Sequence, residues 1–396
     1  MNLLEDARAL QGDLVQLRRT LHRAPETGLD LPRTQETVLS AIDGLGLEVT
    51  TGRGLSSVTG VLRGARPGPT VLLRGDMDAL PVAERTGLDY ASDNGRMHAC
   101  GHDLHTAMLA GSARLLAQHR DRLAGDVVFM FQPGEEGFDG ARHMVGEGVL
   151  DASGSRAEAA YALHVMSAGT GRGRFTTRGG PAMAASNVLT VTVRGAGGHG
   201  SMPHRAKDPV QPACEMVTAL QAWITRTFDV FDPVVLSVGT FHAGTQQNVI
   251  PETATFEATV RSFSPRAQAL VKDGTVRVCE GIAAAYGVRA EARFDELYPV
   301  TVNDEAEAAY VARTVAELHG EERFEPMAQP LSGSEDFSRV LDGVPGAMVV
   351  LGAAPEGADP DTSPNNHSPY AAFDDGVLAD GAALYARLAA DRLTAA

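Results

Sequence analysis

Short apolar segments with the composition of buried strands alternate with helical segments along this chain. Leucine and alanine side chains form one helical stripe over residues 3–21, and a further helix is predicted over about 105–118. Apolar strands are predicted at 56–62, 70–75, 126–131, 159–165 and 347–351. Strands of this kind, separated by helices, are typical of an α/β fold whose sheet is largely buried. We therefore predict an α/β architecture with a central mixed sheet.

A different pattern begins near residue 184. The predicted elements that follow are a strand at 187–194, a helix at 208–227, strands at 234–242 and 251–263, a helix at 265–286 and a strand at 287–294. Their order, β-α-β-β-α-β, is that of a ferredoxin-like unit. We predict a catalytic domain formed by residues 1–183 and 298–396, with a small domain inserted at 184–297.

The charge of the chain excludes several classes of partner. Its 396 residues include 50 acidic and 34 basic side chains, which gives a net charge of −16, and the basic residues form no cluster. Binding to nucleic acid or to an anionic membrane surface needs clustered lysine and arginine. Aromatic residues make up only 5%, with a single tryptophan, which argues against a stacking platform for bases. We expect neither nucleic acid nor membrane as a partner.

Cysteine usage and the N-terminal segment indicate the cellular compartment. Cys100, Cys214 and Cys279 are too few for a disulfide framework, which favours a reducing environment. The first ten residues, MNLLEDARAL, carry acids where a secretory signal needs a basic start and an apolar run. The longest apolar segments, such as 346–354, are far shorter than a membrane span. We expect a cytoplasmic protein.

The densest group of metal-binding residue types lies in MHACGHDLH, residues 97–105. Thiolate and imidazole are the preferred ligands of zinc and similar divalent ions. Cys100 and His102 are two residues apart, so both side chains can point the same way in an extended loop. Gly101 between them relaxes the backbone. The alternative is a helix start with chance histidines, in which Asp103 serves as a cap.

Two adjacent carboxylates follow the apolar strand 126–131. Pro133 and Gly134 end that strand, and Glu135 and Glu136 then lie in a turn near its carboxyl end, where open α/β sheets bind ligands. One glutamate could bind metal while the other acts as a general base toward a metal-bound water. A solvated acidic loop is the alternative interpretation.

Further acids and histidines follow other predicted strands. Asp76 and Asp78 lie at the end of strand 70–75, where they could orient a ligand or simply end the strand. His164 ends strand 159–165, and His367 lies in the loop PNNHSP at 364–369. A single histidine is usually a core or surface residue, but these two are predicted in the same α/β layer.

The segment GAGGHG at 195–200 matches a dinucleotide-binding pattern, which we reject because Pro203 follows directly and no acid ends a strand about 20 residues later. Its glycines more plausibly form a mobile loop that presents His199. In the same predicted domain, Asn248 and Arg261 could hold a carboxylate, arginine through its two-pronged guanidinium. Arg261 could equally be a charge on a strand surface.

Together these segments resemble the metallo-amidohydrolase family of hippurate hydrolases, N-acyl-amino-acid amidohydrolases and plant hydrolases of indole-acetyl-amino-acid conjugates, within the aminoacylase and carboxypeptidase clan. The matching segments run in order along nearly the whole chain: LHRAPETG (21–28), GDMDALP (75–81), MHACGHDLHT (97–106), FQPGEEG (131–137), ALHV (162–165), GGHGSMPH (197–204), QNVIP (247–251), SGSEDF (332–337) and NNHSP (365–369). Each is weak alone, but nine in register are specific.

The resemblance implies a role for each of these residues. Cys100 would bridge two divalent metal ions, with His102 and His164 completing one site and Glu136 and His367 the other. Glu135 would be the general base. Three further roles are implied: Asp78 would orient a ligand, His199 would reach the partner subunit's active site and stabilise the oxyanion, and Asn248 with Arg261 would bind the substrate carboxylate. Cys100 and Asp76 stand where the wider clan has a bridging carboxylate and a histidine.

The implied reaction is hydrolysis of an N-acyl-amino acid to a carboxylic acid and a free amino acid by a metal-activated water. The metal could be zinc, manganese, nickel or cobalt, and a homodimer formed through the inserted dimerisation and lid domain is expected. Three alternatives stay open: a metallo-dipeptidase or carboxypeptidase, a catalytically silent metal-binding regulator, and a hydrolase that uses Cys100 as a nucleophile. The paired glutamates and the surplus of histidines favour a metal over that nucleophile.

Overall fold

A computed structural model describes residues 1–394, which form two compact units. The first unit contains Met1–Ala182, Val302–Gln329 and the described residues from Asp336 onward. The second contains Met183–Thr301 and Pro330–Glu335. The second unit therefore contains the whole of the predicted inserted segment 184–297 and extends beyond it at both ends.

The bounds of the regular elements are as follows. The helices are α1 Leu3–Ala9, α2 Gln11–Arg23, α3 Pro32–Ile42, α4 His102–Gln118, α5 Glu135–Phe138, α6 Gly140–Gly146, α7 Val210–Thr227, α8 Pro265–Ala285, α9 Glu305–His319, α10 Ser338–Leu341 and α11 Leu378–Leu393. The strands are β1 Glu48–Thr51, β2 Val58–Arg63, β3 Arg66–Asp76, β4 Ala124–Gln132, β5 Ala159–Met166, β6 Phe175–Thr177, β7 Gly180–Met183, β8 Ala185–Arg194, β9 Gly198–His199, β10 Val234–Ala243, β11 Val249–Ile250, β12 Thr253–Ser262, β13 Arg289–Tyr298, β14 Thr301–Asn303, β15 Phe324–Pro326 and β16 Gly346–Gly352.

The first unit is built on a mixed sheet of eight strands in the order β1-β2-β4-β3-β5-β16-β6-β15. Its centre is parallel, since β3 pairs in parallel with both β4 and β5, and β5 with β16. The buried parts of these strands are mostly apolar, as expected where helices cover both faces of a sheet. The parallel centre brings the carboxyl ends of β3, β4 and β5 to one edge.

Two helices in the core of this unit, α4 and α11, are buried around most of their circumference. Small side chains allow the close approach, because a Cβ on Gly111 of α4 would crowd Ala382 of α11 and Leu14 of α2. The stripe predicted over 3–21 is also buried, although the helix is interrupted at Leu10. The main predicted elements of this unit are present, with bounds that differ by a few residues.

The second unit contains a four-stranded antiparallel sheet in the order β10-β12-β8-β13, with α7 and α8 as the connecting helices. The chain order β8-α7-β10-β12-α8-β13 is the β-α-β-β-α-β arrangement. Alternate strand residues contact the helices in one core, which contains Leu189, Val191, Phe256, Val260, Met216, Leu220 and Val271. The strands β10 and β13 are the two edges of the sheet.

Among residues 1–394, no helix combines the length and the apolar character needed to cross a membrane.

Candidate metal centre

The candidate site of the first unit lies at the carboxyl edge of the parallel strands. Asp76, the last residue of β3, is paired in register with Gln132, the last residue of β4. His164 lies near the end of β5, the neighbour of β3 on the other side. Parallel strand ends meet at one edge, so these side chains converge although they are distant in sequence.

Gly101 sets the backbone conformation between Cys100 and His102, the first two candidate ligands in the chain. Its φ of +81° is in the left-handed region that favours glycine, and a Cβ there would overlap Val165 Cγ2. Helix α4 begins directly afterwards at His102, so Cys100 lies in the preceding turn and His102 in the first turn of the helix. The tight turn thereby brings both side chains to the same edge of the sheet.

The turn that carries the two glutamates is also fixed by a glycine and by a carboxylate. Gly134 has a φ of +75°, and a Cβ there would lie 2.5 Å from Leu29 Cδ2. Asp78, which is buried, accepts hydrogen bonds from the backbone N–H groups of Glu135 at 2.9 Å and of Glu136 at 3.0 Å. Its Oδ1 also lies 3.6 Å from His102 Nδ1. Asp78 therefore holds the glutamate turn next to His102.

The Cys100 thiol lies between two groups of ligands. Its Sγ is 3.4 Å from His164 Nε2 and 3.3 Å from His367 Nε2, and the same His367 nitrogen is 3.1 Å from Glu136 Oε1. In two sets, each with Cys100, the possible ligand atoms lie within 4.8 Å of one another: Cys100, His102 and His164, and Cys100, Glu136 and His367. A third such set contains His102, Glu135 and Glu136, which puts the Glu135 carboxylate beside both groups.

The tautomer of His164 follows from its neighbours. Its Nδ1 lies 2.9 Å from the carbonyl oxygen of Val165, which can only accept, so Nδ1 carries the hydrogen and Nε2 faces Cys100 with a lone pair. The N–H of Val165 donates to His105 Nε2 at 2.8 Å, so the hydrogen of His105 is on Nδ1 and points to Asp76 Oδ1 at 2.6 Å. Ligand histidines are commonly oriented by such bonds.

The electrostatics of the cluster favour anionic sulfur beside positive charge. Burial would raise the pKa of the Cys100 thiol, but the neighbouring imidazoles, His164 foremost, hold that pKa well below its usual range. The hydrogen bonds that His367 donates to Cys100 and Glu136 raise its pKa to about 10. Burial and the Cys100 charge both raise the pKa of Glu136. The site therefore concentrates negative charge that cations stabilise.

The donors present fit divalent metal ions. His102 is 1% exposed, and neither of its ring nitrogens has a hydrogen-bond partner among residues 1–394. A buried imidazole without a partner is costly unless a nitrogen binds something else. The Cys100 thiolate, the three imidazoles and the Glu136 carboxylate are ligand types suited to zinc, manganese, nickel or cobalt.

Several buried residues that the sequence analysis did not select support this edge of the sheet. Arg74 is fully buried and donates to Asp76 Oδ2 at 2.8 Å, to Gln132 Oε1 at 2.9 Å and to Asp336 Oδ1 at 2.9 Å. His105 joins Asp76 to the end of β5, as described above. The sequence does contain a signal for Arg74, which lies within the apolar run TVLLRG. A charge buried in such a run requires partners.

Asp103 does not cap helix α4, which was the alternative interpretation of this motif. The residue before the helix is Gly101, without a side-chain cap, and Asp103 lies inside the first turn. Its Oδ2 instead accepts from Arg18 Nε at 2.7 Å and lies 2.8 Å from His22 Nδ1. Asp103 therefore ties the start of α4 to α2.

The remaining candidate residues belong to the second unit. His199 and Asn248 are adjacent there, because β9 and β11 pair with His199 opposite Val249, and the Gly200 N–H donates to the Asn248 carbonyl at 2.8 Å. Both side chains are exposed. Arg261 on β12 donates to Ser186 Oγ on β8 at 2.7 Å, and burial lowers the pKa of its guanidinium.

Comparison with known proteins assigns the class of this arrangement. The pattern of Peptidase family M20/M25/M40 matches residues 72–391. A solved structure of a dinuclear metal-binding peptidase of the M20 family from Bacillus subtilis superposes with a TM-score of 0.83 at 31% identity, covering 98% of this chain and 99% of that one. The fold of this chain is thus that of the M20 peptidases, and the candidate ligand groups described above lie in its first unit.

Two curated relatives extend over nearly the whole chain. Thermostable carboxypeptidase 1 of Saccharolobus solfataricus is 37% identical over 392 residues, which cover 98% of this chain and 97% of that protein. Hippurate hydrolase of Campylobacter jejuni is 34% identical over 390 residues, which cover 98% of this chain and 99% of that protein. The chain belongs to Peptidase family M20/M25/M40 and is a metal-dependent amidohydrolase, which confirms the family resemblance and the enzyme class predicted from the sequence motifs.

Proposed function

We propose that this enzyme hydrolyses the amide bond of N-acyl-amino acids to a carboxylic acid and a free amino acid. The observation that carries the proposal is the shared position of Cys100 in two ligand groups, with the Glu135 carboxylate beside both. A bridged pair of ligand sets next to a buried carboxylate is suited to water-dependent cleavage of an amide.

The proposed ligands of one ion are Cys100, His102 and His164, and those of the other are Cys100, Glu136 and His367. A pair of divalent ions in such a site supplies Lewis acidity and lowers the pKa of water toward neutrality. Zinc, manganese, nickel and cobalt are all compatible with this mixture of sulfur, nitrogen and oxygen donors, and the thiolate favours the softer ions.

Glu135 is the proposed general base. Glu135 is only 7% exposed, and its backbone N–H donates to Asp78 Oδ1 at 2.9 Å, so the position of this residue is well defined. The Glu135 carboxylate takes a proton from the attacking water and returns it to the nitrogen of the departing amine. One carboxylate can serve in both steps because the proton that it accepts is the one that the leaving group needs.

Arg261 and Asn248 are proposed to bind the free carboxylate of the substrate. The guanidinium of Arg261 is partly buried and forms no ion pair with a carboxylate of residues 1–394. It donates instead to Ser186 Oγ and to the Val260 carbonyl. A desolvated guanidinium without an anionic partner favours an anionic ligand. Cleavage next to a free carboxylate is common to acyl-amino acids and to the substrates of a carboxypeptidase.

A metallo-carboxypeptidase or dipeptidase is the second candidate, favoured by the name of the Saccharolobus relative. We would measure amino-acid release from N-acetyl- and N-benzoyl-amino acids and from dipeptides, using metal-stripped enzyme with and without added manganese or zinc. Metal-dependent release from the acyl-amino acids is expected. Release from dipeptides alone would favour the peptidase, and no release from folded, metal-loaded protein would favour a silent metal-binding regulator.

We further propose a homodimer formed through the second unit. Strand β10 is an edge of the four-stranded sheet, and Val235 and Phe241 on it are 49% and 36% exposed. Unpaired edges of this kind readily pair with another chain. His199 is exposed, and its Nδ1 is engaged by the Ser201 hydroxyl at 2.9 Å, which leaves Nε2 available to donate to an oxyanion of the partner's reaction.

Mixing two inactive variants tests the contribution of His199 across subunits. His199→Ala and Glu135→Gln chains, each nearly inactive alone, are expected to regain roughly a quarter of the wild-type activity when equal amounts exchange subunits, because half of the dimers are mixed and each has one intact site. Activity should be followed together with the molecular mass in solution. A mixed sample no more active than the sum of its components, after proven exchange, would contradict the shared site.

A further inference from the structure

Asn366, the residue before His367, contacts several parts of the metal centre. Its Nδ2 donates to the carbonyl oxygen of Val165 at 3.0 Å, and lies 3.4 Å from the Cys100 carbonyl oxygen and 3.7 Å from Cys100 Sγ. Its Oδ1 accepts from both the backbone N–H and the hydroxyl of Ser167, each at 2.9 Å. One carboxamide therefore joins the Cys100 turn, the end of β5 and the loop of His367.

The bond to the Val165 carbonyl bears on the orientation of His164. The same carbonyl oxygen accepts from His164 Nδ1 at 2.9 Å, so Asn366 and His164 share one acceptor. The backbone N–H of Val165 donates to His105 Nε2 at 2.8 Å. If Asn366 no longer contacts this carbonyl, the hydrogen bond that directs His164 Nε2 toward Cys100 loses one of its supports, beside the pairing of β5 with β16.

His367 has a backbone conformation that its surroundings must hold. Its φ is +71°, in the left-handed region that is uncommon for residues other than glycine. Such conformations persist where neighbouring contacts over-determine them. The backbone N–H of His367 donates to the Ala99 carbonyl at 2.8 Å, and the side chain of Asn366 fixes the residue directly before it. Both anchors connect His367 to the segment that carries Cys100.

The contact with sulfur adds an electrostatic contribution. An amide N–H directed at a thiolate stabilises its negative charge, and such hydrogen bonds tune sulfur that is bound to metal. Replacing this amide by a carboxylate would put an oxygen where the structure has a donor, next to two carbonyl oxygens and the sulfur, all of which are acceptors.

We propose that Asn366 is a positioning residue of the dinuclear centre, which holds Cys100, His164 and His367 in the geometry that lets two ions share one thiolate. The inference rests on the metal ligands assigned under Proposed function. Asn366 acts through these three ligands and is not proposed to contact the reacting atoms.

The test is metal binding by an Asn366→Asp variant. This change keeps the size of the side chain and the acceptor toward Ser167, but it replaces the donor toward Val165 and Cys100. We expect the affinity for one of the two ions to fall about 10–100-fold, the usual effect of losing a partner of a metal ligand. Affinity would be measured by titrating the metal-stripped protein with Mn²⁺ and with Co²⁺ against a chromophoric chelator.

Two further readouts separate positioning from general damage. The thiolate-to-cobalt charge-transfer band should weaken or shift, because it reports the sulfur directly, and excess Mn²⁺ should restore much of kcat. The matched control is Asn365→Asp, the same change at the exposed neighbouring residue. The metal affinity of this variant should stay within about twofold of wild type. An unchanged affinity and an unchanged cobalt band in Asn366→Asp would overturn the proposal.

The design distinguishes the possible failures. A wild-type protein that binds fewer than two ions would refute the proposed ligand assignment itself. A wild type that binds two ions, with an Asn366→Asp variant that binds them equally well, would refute only the role of Asn366. If the aspartate variant does not fold, as judged by circular dichroism, the same titrations with Asn366→Ser decide, because serine removes the donor without adding a charge.

Discussion

Glu135→Gln is expected to lower kcat by about 10²–10⁴-fold, the usual contribution of a general acid–base residue, while both metal ions stay bound. Glutamine has nearly the same shape as glutamate but cannot accept the proton of the attacking water. The backbone contact with Asp78 that holds this turn does not involve the Glu135 side chain, so the position of the turn should be preserved. Steady-state kinetics and elemental analysis of the same preparation would test both parts.

The neighbouring glutamate provides a sharp contrast. Glu136→Gln should also lose activity, but through loss of the ion that it shares with His367, whose Nε2 lies 3.1 Å from Glu136 Oε1. Glu356→Gln, the same charge change at an exposed residue, should leave kcat unchanged. A Glu135→Gln enzyme with near-normal turnover would contradict the base assignment, and loss of metal from that variant would make Glu135 a ligand instead.

The apolar strands of the eight-stranded sheet were predictable from sequence because their signals are local. Short apolar segments such as 126–131 favour a buried strand over a helix by their length, and the bounds of β4 differ from that prediction by only one or two residues. Helix α4 begins at His102, three residues earlier than predicted. The helix is buried on nearly all sides, so its sequence has little apolar periodicity from which the start could be predicted. Helix α3 and strand β1 were not predicted.

The family resemblance provided the proposed ligand set, whereas the residues that would orient these ligands depend on contacts that sequence does not display. Asp76 was recognised as a strand-end acid, but its partner His105 is recognisable only when β3 and α4 are side by side. Asn366 is similar, because its importance depends on the Val165 carbonyl, which is 201 residues away in the chain. Such pairings arise from the packing of elements and have no periodic signature.

Cys100→Ala is expected to abolish binding of both ions, since both ligand sets contain this thiolate. Each ion would keep only two of its proposed protein ligands. The loss of affinity should therefore exceed the roughly 100-fold that follows from losing a residue that only orients a ligand. In the wild type, each bound ion should stabilise the fold by about 2.7 kcal/mol when the free ion is 100-fold above the Kd of its site. Elemental analysis and the shift of Tm with added Mn²⁺ would measure both effects.

The chain provides its own controls for this experiment. Cys279→Ala removes a buried thiol from the core of the second unit, and Cys214→Ala removes an exposed one from α7. The first should lower the Tm without changing metal content, because it leaves a small cavity far from any ligand in sequence, and the second should change neither. Full metal content in Cys100→Ala would exclude a bridging thiolate, whereas loss of one ion alone would make Cys100 a ligand of a single ion. Only the loss of both, with both controls intact, is consistent with one sulfur shared between two ions.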